Sequence, residues 1–434
     1  MIDRPQNSAS LAAVDGIAAV RQGTLDARTW IDALLDRAQA RDPCVHAWIQ
    51  TAGDRQRRLA GMGAVDRSLP LAGLPLGVKD VIDAAGWPTQ CNSPIEAGRI
   101  ATSSAAAVAR LEAAGAVVIG KTVTTEYAFM APGPTTNPHD PSRTPGGSSS
   151  GSAAGVADFQ VPVALTTQTG GSTIRPAAFC GIVGYKPPFG RAPTSGLALL
   201  APSIDAIGIH ARSVADIALV AAVMEGGPRE TEANWPRRFL VLEPTEADDI
   251  AADARAMLAD AAERLHHAGS SLQWAARPAS FLALDSAHRV VMSVEVARSF
   301  TERYATRRAD LSDSLAAFIE RGQATSGQEL ADAHAAIAVA RTDLHALGDA
   351  GILLTPAAPG EAPVGLNSTG NATLNRLWSL LHVGVMTVPA GLGANGMPLG
   401  LQLVDPLPAA PNLFPAAAFA EWVLAAAVAT EKTS

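Results

Sequence analysis

Residues 131–210 carry Gly, Pro, Ser and Thr at a density usual for loops, yet the stretch stays apolar. A structureless loop of that length is improbable inside a folded domain, so the segment must pack as functional core. The rest of the chain agrees. Of 434 residues, 48% are apolar, 5% aromatic and 17% charged, which excludes extensive disorder and requires a core of small aliphatic groups. A formal net charge of −8 with no basic run argues against a nucleic-acid partner. Three scattered cysteines, Cys44, Cys91 and Cys180, lack CxxC spacing, which points to a reducing compartment and away from a disulfide framework or a zinc site. The polar N-terminus and the lack of an 18-residue apolar run lead to the expectation of a cytoplasmic protein without a membrane partner.

Apolar periodicity predicts two amphipathic helices over 8–40, the second capped near Thr24 or Asp26. From residue 70 the texture alternates. LPLGVKDVID and AVVIGKT read as buried strands flanking a helix at Ala105–Ala114. FLVLEP (239–244), SSLQW (270–274), GILLTP (351–356), VMTVPAG (385–391) and MPLGLQLVD (397–405) read as further strands. Helices are expected at Ile250–His267, through much of 285–347 and at Pro415–Ala429. This alternation indicates an α/β fold: a central mixed β-sheet covered by helices on both faces. We expect a single large domain over 1–434. It comprises N-terminal helices in 1–60, a catalytic core from 61–212 and 350–434, and a mostly helical cover from 213–349.

Three motifs have ordinary structural readings, the second of them kept as the runner-up. Residues 115–122 match the phosphate-loop pattern GxxxxGK[ST], but Ala-Val-Val-Ile occupies the loop positions and favours a strand. Gly147–Gly151 matches the GxSxG elbow, which would make Ser149 an esterase nucleophile served by Asp205 and His382. That elbow needs a preceding strand, and DPSRTPGG forms turns instead. His266 and His267 are adjacent, so they point to different helix faces and do not form a metal pair.

The informative stretch is 145–187. It holds two Gly-Gly-Ser turns 24 residues apart, at Ser148 and Ser172, on either side of an apolar small-residue segment. The successive amides of Gln168-Thr169-Gly170-Gly171-Ser172 could form an anion-binding nest. Lysine is rare here: of 33 basic residues only Lys79, Lys121, Lys186 and Lys432 are lysines. A lysine can lose its proton inside a protein and an arginine cannot, so each of the four is a candidate base.

Together with PLGVKDVID (75–83), GPTTNPHDPSRTPGGSSSGSAAG (133–155), TQTGGSTIRPAAFCGIVGYKP (167–187), SIDAIGIHAR (203–212) and VPAGLGANGMPLGLQL (388–403), these features resemble the amidase signature family over nearly the whole chain. The resemblance implies a Ser–cis-Ser–Lys triad: Ser172 as nucleophile, Ser148 as the bridging cis-serine and Lys79 as base. The oxyanion hole would be the backbone at Thr169, Gly170, Gly171 and Ser172. It also implies hydrolysis of a small carboxylic amide without cofactor or metal. The alternatives are a glutaminase-type component of an amidotransferase complex and a Ser149 esterase, and a homodimer is the assembly left open. Asp80 is expected to point away from Lys79, since a carboxylate there would hold the amine protonated. Gln168 stands where many members have Asp, and Arg175 lies three residues after Ser172 rather than two. That variant resembles the malonamidase branch, whose matching arginine engages a substrate carboxylate. Arg175 and Ser149 are therefore candidate substrate contacts, with a structural salt bridge as the other reading of Arg175. Further pocket residues are expected near 125–135, 300–330 and 370–385.

Overall fold

The computed structural model describes residues 2–51, 65–232 and 234–430. The part of the expected N-terminal helical region from 52 to 60 lies outside the described residues. Eleven strands form one mixed sheet in the order β1-β3-β2-β4-β6-β5-β10-β11-β9-β7-β8. They are β1 (Trp48–Thr51), β2 (Pro75–Lys79), β3 (Val117–Thr122), β4 (Val163–Gln168), β5 (Val183–Lys186), β6 (Ala206–Ala211), β7 (Arg238–Glu243), β8 (Ser271–Ala276), β9 (Ile352–Pro356), β10 (Gly384–Leu392) and β11 (Pro398–Asp405).

Thirteen α-helices lie among the described residues: α1 (Ala13–Gln22), α2 (Ala27–Val45), α3 (Ala106–Ala113), α4 (Ser150–Ala157), α5 (Ile174–Cys180), α6 (Val214–Glu225), α7 (Ala252–His267), α8 (Leu284–Ser299), α9 (Thr301–Arg307), α10 (Asp313–Ala324), α11 (Gly327–Ala346), α12 (Thr373–Leu380) and α13 (Leu413–Thr430). Asp26, not Thr24, caps α2: its Oδ1 accepts from the amides of Arg28 at 2.9 Å and Thr29 at 3.2 Å. No helix among the described residues is long and apolar enough to cross a membrane.

Strand β2 lies parallel between β3 and β4 and is buried along its whole length. Parallel strands are covered on both faces, so they read as unbroken apolar runs. Strand β7 is likewise parallel to β8 and β9, which carries part of the 213–349 region into the sheet. The remaining pairings are antiparallel.

The Gly- and Ser-rich stretch is core, as expected, and its small side chains explain how. All eight residues of α4 are buried. A β-carbon at Gly151 would lie 2.1 Å from the carbonyl oxygen of Ala47, so only glycine lets α4 approach this closely. The phosphate-loop match falls on β3. There Lys121 Nζ is buried, donating to the Ile82 and Pro88 carbonyls at 2.6 and 2.8 Å and to Thr89 Oγ1 at 3.0 Å, 3.5 Å from Asp80 Oδ1.

Candidate active site

Lys79 ends β2 and is fully buried. Its Nζ donates to Ser148 Oγ and to Thr167 Oγ1, both at 2.7 Å. Burial drives its pKa well below the ordinary 10.5, against weaker opposing pulls from Asp205 and Cys91. Removing an ammonium from water penalises the charged form, so the amine is poised to accept a proton. Asp80 faces away as expected. Its carboxylate accepts from the Gln90 amide at 3.1 Å and lies against Lys121.

Ser148 follows a cis peptide bond from Gly147, immediately before α4. Ser172 lies in the turn between β4 and α5. One backbone hydrogen bond, from the Ser149 amide to the Ser172 carbonyl at 3.3 Å, ties the two serine turns together. Thr173 and Ile174 donate their amides to Gln168 Oε1, at 3.0 and 3.1 Å. Among the described residues, the amides of Thr169, Gly170, Gly171 and Ser172 donate to no protein acceptor. A run of unspent N–H groups at a helix N-terminus suits a developing oxyanion. The turn is braced from beneath. Thr169 Oγ1 donates to Asp205 Oδ1 at 2.5 Å, and His288 Nε2 lies 3.0 Å from the Thr169 carbonyl. Burial pushes Asp205 up to about 6 and His288 down to about 4. A β-carbon at Gly171 would meet Asn375 Oδ1 at 2.6 Å, so the turn is fitted against α12.

Arg175 is brought beside these turns with both Nη groups spent on the protein, while its buried Nε has no hydrogen-bond partner among the described residues. Nη2 donates to the Gly147 carbonyl at 2.6 Å and to Thr369 Oγ1 at 3.0 Å, and Nη1 donates to the Gly370 carbonyl at 2.8 Å. No carboxylate among the described residues pairs with it, so the salt-bridge reading is not met. Burial, and secondarily Arg376, pulls its pKa down to about 9. These contacts make Arg175 a clamp between the peptide preceding Ser148 and the turn at 369–370. Arg175→Ala should therefore lower kcat on acidic and neutral amides alike, on the order of 100-fold, the scale of a small misplacement. It should also lower the melting temperature. A rise in KM confined to acidic amides would return the residue to substrate binding.

Ser149 does not form an elbow triad. Its hydroxyl donates to the Thr167 carbonyl at 3.3 Å. His382 lies instead against the Ser203 carbonyl (2.9 Å) and Arg341 (3.0 Å), and Asp205 against the 169 turn. His266 Nδ1 is 3.0 Å from the Ser270 carbonyl, and no cluster of metal-ligating side chains occurs among the described residues.

Residues 29–407 match the profile of the Amidase family. The chain belongs to this family. A curated relative from Synechococcus sp. (strain RCC307), one of the subunits of Glutamyl-tRNA(Gln) amidotransferase, is 32% identical over 90% of this chain and 92% of its own length. A solved amidase structure superposes with a TM-score of 0.86 at 27% identity, covering 95% of this chain and 100% of the other. A structure from work on a vestigial protein complex and the origins of an s-triazine catabolic enzyme gives 0.83 at 29% identity, covering 96% of this chain and 98% of its own. The fold is thus the amidase signature fold, and members of the family act on C–N bonds.

Within this family frame, four site residues escaped sequence reasoning about roles. Thr167 shares the lysine amine, Gln168 caps α5, and Asp205 and His288 hold Thr169. Thr167, Gln168 and Asp205 stood inside the motifs that carry the resemblance, but their partners are set by tertiary packing.

Proposed function

We propose that this chain breaks the C(O)–N bond of a small amide through an acyl-enzyme on Ser172. The observation that carries the reading is a buried Lys79 amine 2.7 Å from Ser148 Oγ, with Ser172 on the turn bonded to that of Ser148. In the first step, Ser172 Oγ bonds to the amide carbon as its proton passes through Ser148 to Lys79. The oxyanion is held by the amides of 169–172, each such donor contributing roughly 2.7–4 kcal/mol in sites of this kind. The C–N bond then breaks, and the nitrogen leaves with the proton returned along the same path. Water resolves the ester by the reverse relay.

For the fate of the nitrogen, the relatives favour transfer over a free-standing linear-amide hydrolase. The amidotransferase relative aligns over nearly its full length, which supports a glutaminase-type role that hands ammonia to a partner. The chain's net charge of −8 suggests that any nucleic-acid acceptor would be held by other polypeptides of such a complex. The free-standing reading draws on the solved amidase and on Gln168 in place of Asp. Ammonia release by the purified chain separates the two. A kcat/KM for glutamine at least tenfold above that for aliphatic monoamides supports the glutaminase role. Turnover of aliphatic amides with none of glutamine overturns it.

A further inference from the structure

Arg376 lies on α12, against the turn that carries the free amides. A β-carbon placed on Gly170 would lie 3.4 Å from Arg376 Cγ. Among the cations the structure sets around this turn, Lys79 is fully buried and Arg175 has spent both Nη groups on the protein. Arg376 differs from both. Its side chain is 19% exposed, and its one ionic partner among the described residues is Asp285, met through Nη1 alone. The Nε and Nη2 groups donate to no protein acceptor among the described residues, and neither is sealed from solvent.

Those two nitrogens form one edge of the guanidinium plane, with two parallel N–H bonds. That edge matches the two oxygens of a carboxylate. Asp285 holds the opposite side, so the plane is oriented before a ligand arrives. Asp285 also accepts from Arg289 Nε at 3.0 Å, one helical turn along α8. Two cations thus share one carboxylate, and the cluster keeps a net positive charge beside the turn. The same face of α8 carries His288, bonded to the Thr169 carbonyl, which fixes the cluster's place relative to the free amides.

We infer that Arg376 binds a carboxylate of the substrate through its Nε–Nη2 edge, so that the substrate class is an amide bearing an acidic group a short distance from the reacting carbonyl. This rests on the amide-cleaving role given above. It assigns to Arg376 the function that the family resemblance had implied for Arg175. An amino-acid amide such as glutamine and a dicarboxylic monoamide share this chemistry.

The test compares malonamate, succinamate, glutaramate and glutamine with propionamide, butyramide and valeramide. In the full chain, Arg376→Gln should raise KM for the best acidic amide by roughly 10- to 100-fold and leave its kcat within about threefold. The kcat/KM for neutral amides should stay the same. Equal losses on both classes, or none on either, would overturn the inference. A second measurement does not depend on turnover. Ser172→Ala should bind the acidic amides in calorimetry, and the Ser172→Ala, Arg376→Gln pair should not. Arg376-dependent binding without any hydrolysis by the unmodified chain would sink the amide-cleaving role and leave the anchor standing. Binding that ignores Arg376 would remove the anchor alone.

Discussion

Replacing Lys79 by Arg should cut kcat roughly 10⁴-fold, about the full worth of a general base. Lys79→Met should do the same, and the equality is the informative part. Arginine keeps the length but stays protonated, so it cannot take the proton from Ser148. The two variants should part in stability. The pKa of Lys79 in the native state lies well below the usual 10.5, because burial penalises the ammonium. Between those two values the unfolded chain binds a proton that the native chain does not. Stability linked to this group therefore rises with pH across that window and is lowest on its acidic side. Lys79→Met abolishes that dependence, so it should raise the melting temperature, more at pH 6 than at pH 10. Activity of the unmodified enzyme should rise from acid to alkaline pH as the amine loses its proton. A fully active arginine variant would refute Lys79 as the base.

Ser172→Ala should lower kcat by about 10⁶-fold, the scale seen when a member of a nucleophile–base unit is removed. The fold should persist, since no protein hydrogen bond of the Ser172 hydroxyl is lost among the described residues; the turn is held by backbone bonds and by Gln168. An activated fluorophosphonate should label Ser172. Peptide mapping that places the adduct on Ser149 instead would revive the elbow reading. Ser149 is poorly placed for that, with its hydroxyl donated to the Thr167 carbonyl and His382 engaged elsewhere.

The residues of the proposed triad were legible through the motifs that carry the family resemblance: two Gly-Gly-Ser turns, and Lys79 as one of only four lysines. Most strands and helices outside 131–210 were equally legible, since their periodicity or apolar runs survive in sequence. Strands β4, β5 and β6 were not. They are buried on both faces and built largely from small and β-branched residues, so neither alternation nor bulk distinguishes them from loop. Arg175 could be placed near the nucleophile from its spacing, but its acceptors are carbonyls at 147 and 370, far apart along the chain. Arg376 fell inside the expected 370–385 window, but neither it nor Asp285 carried a mark of its own. Their meaning arises only when α8 and α12 meet over the turn at 169–172.

The proposed base stands on a strand. Lys79 closes β2, and the threonine that shares its amine lies at the end of β4, the next strand in parallel register. Sliding one strand by a single residue would turn the lysine to the opposite face of the sheet. The distance from Lys79 to Thr167 is thus a property of strand pairing, while Ser148 reaches the amine from the turn before α4. The groups packed against the turn at 169–171 come from helices α8 and α12, which can exchange side chains while the ladder stays fixed. A new substrate could be learned in the covering helices alone, one side chain at a time, with the proton path left untouched.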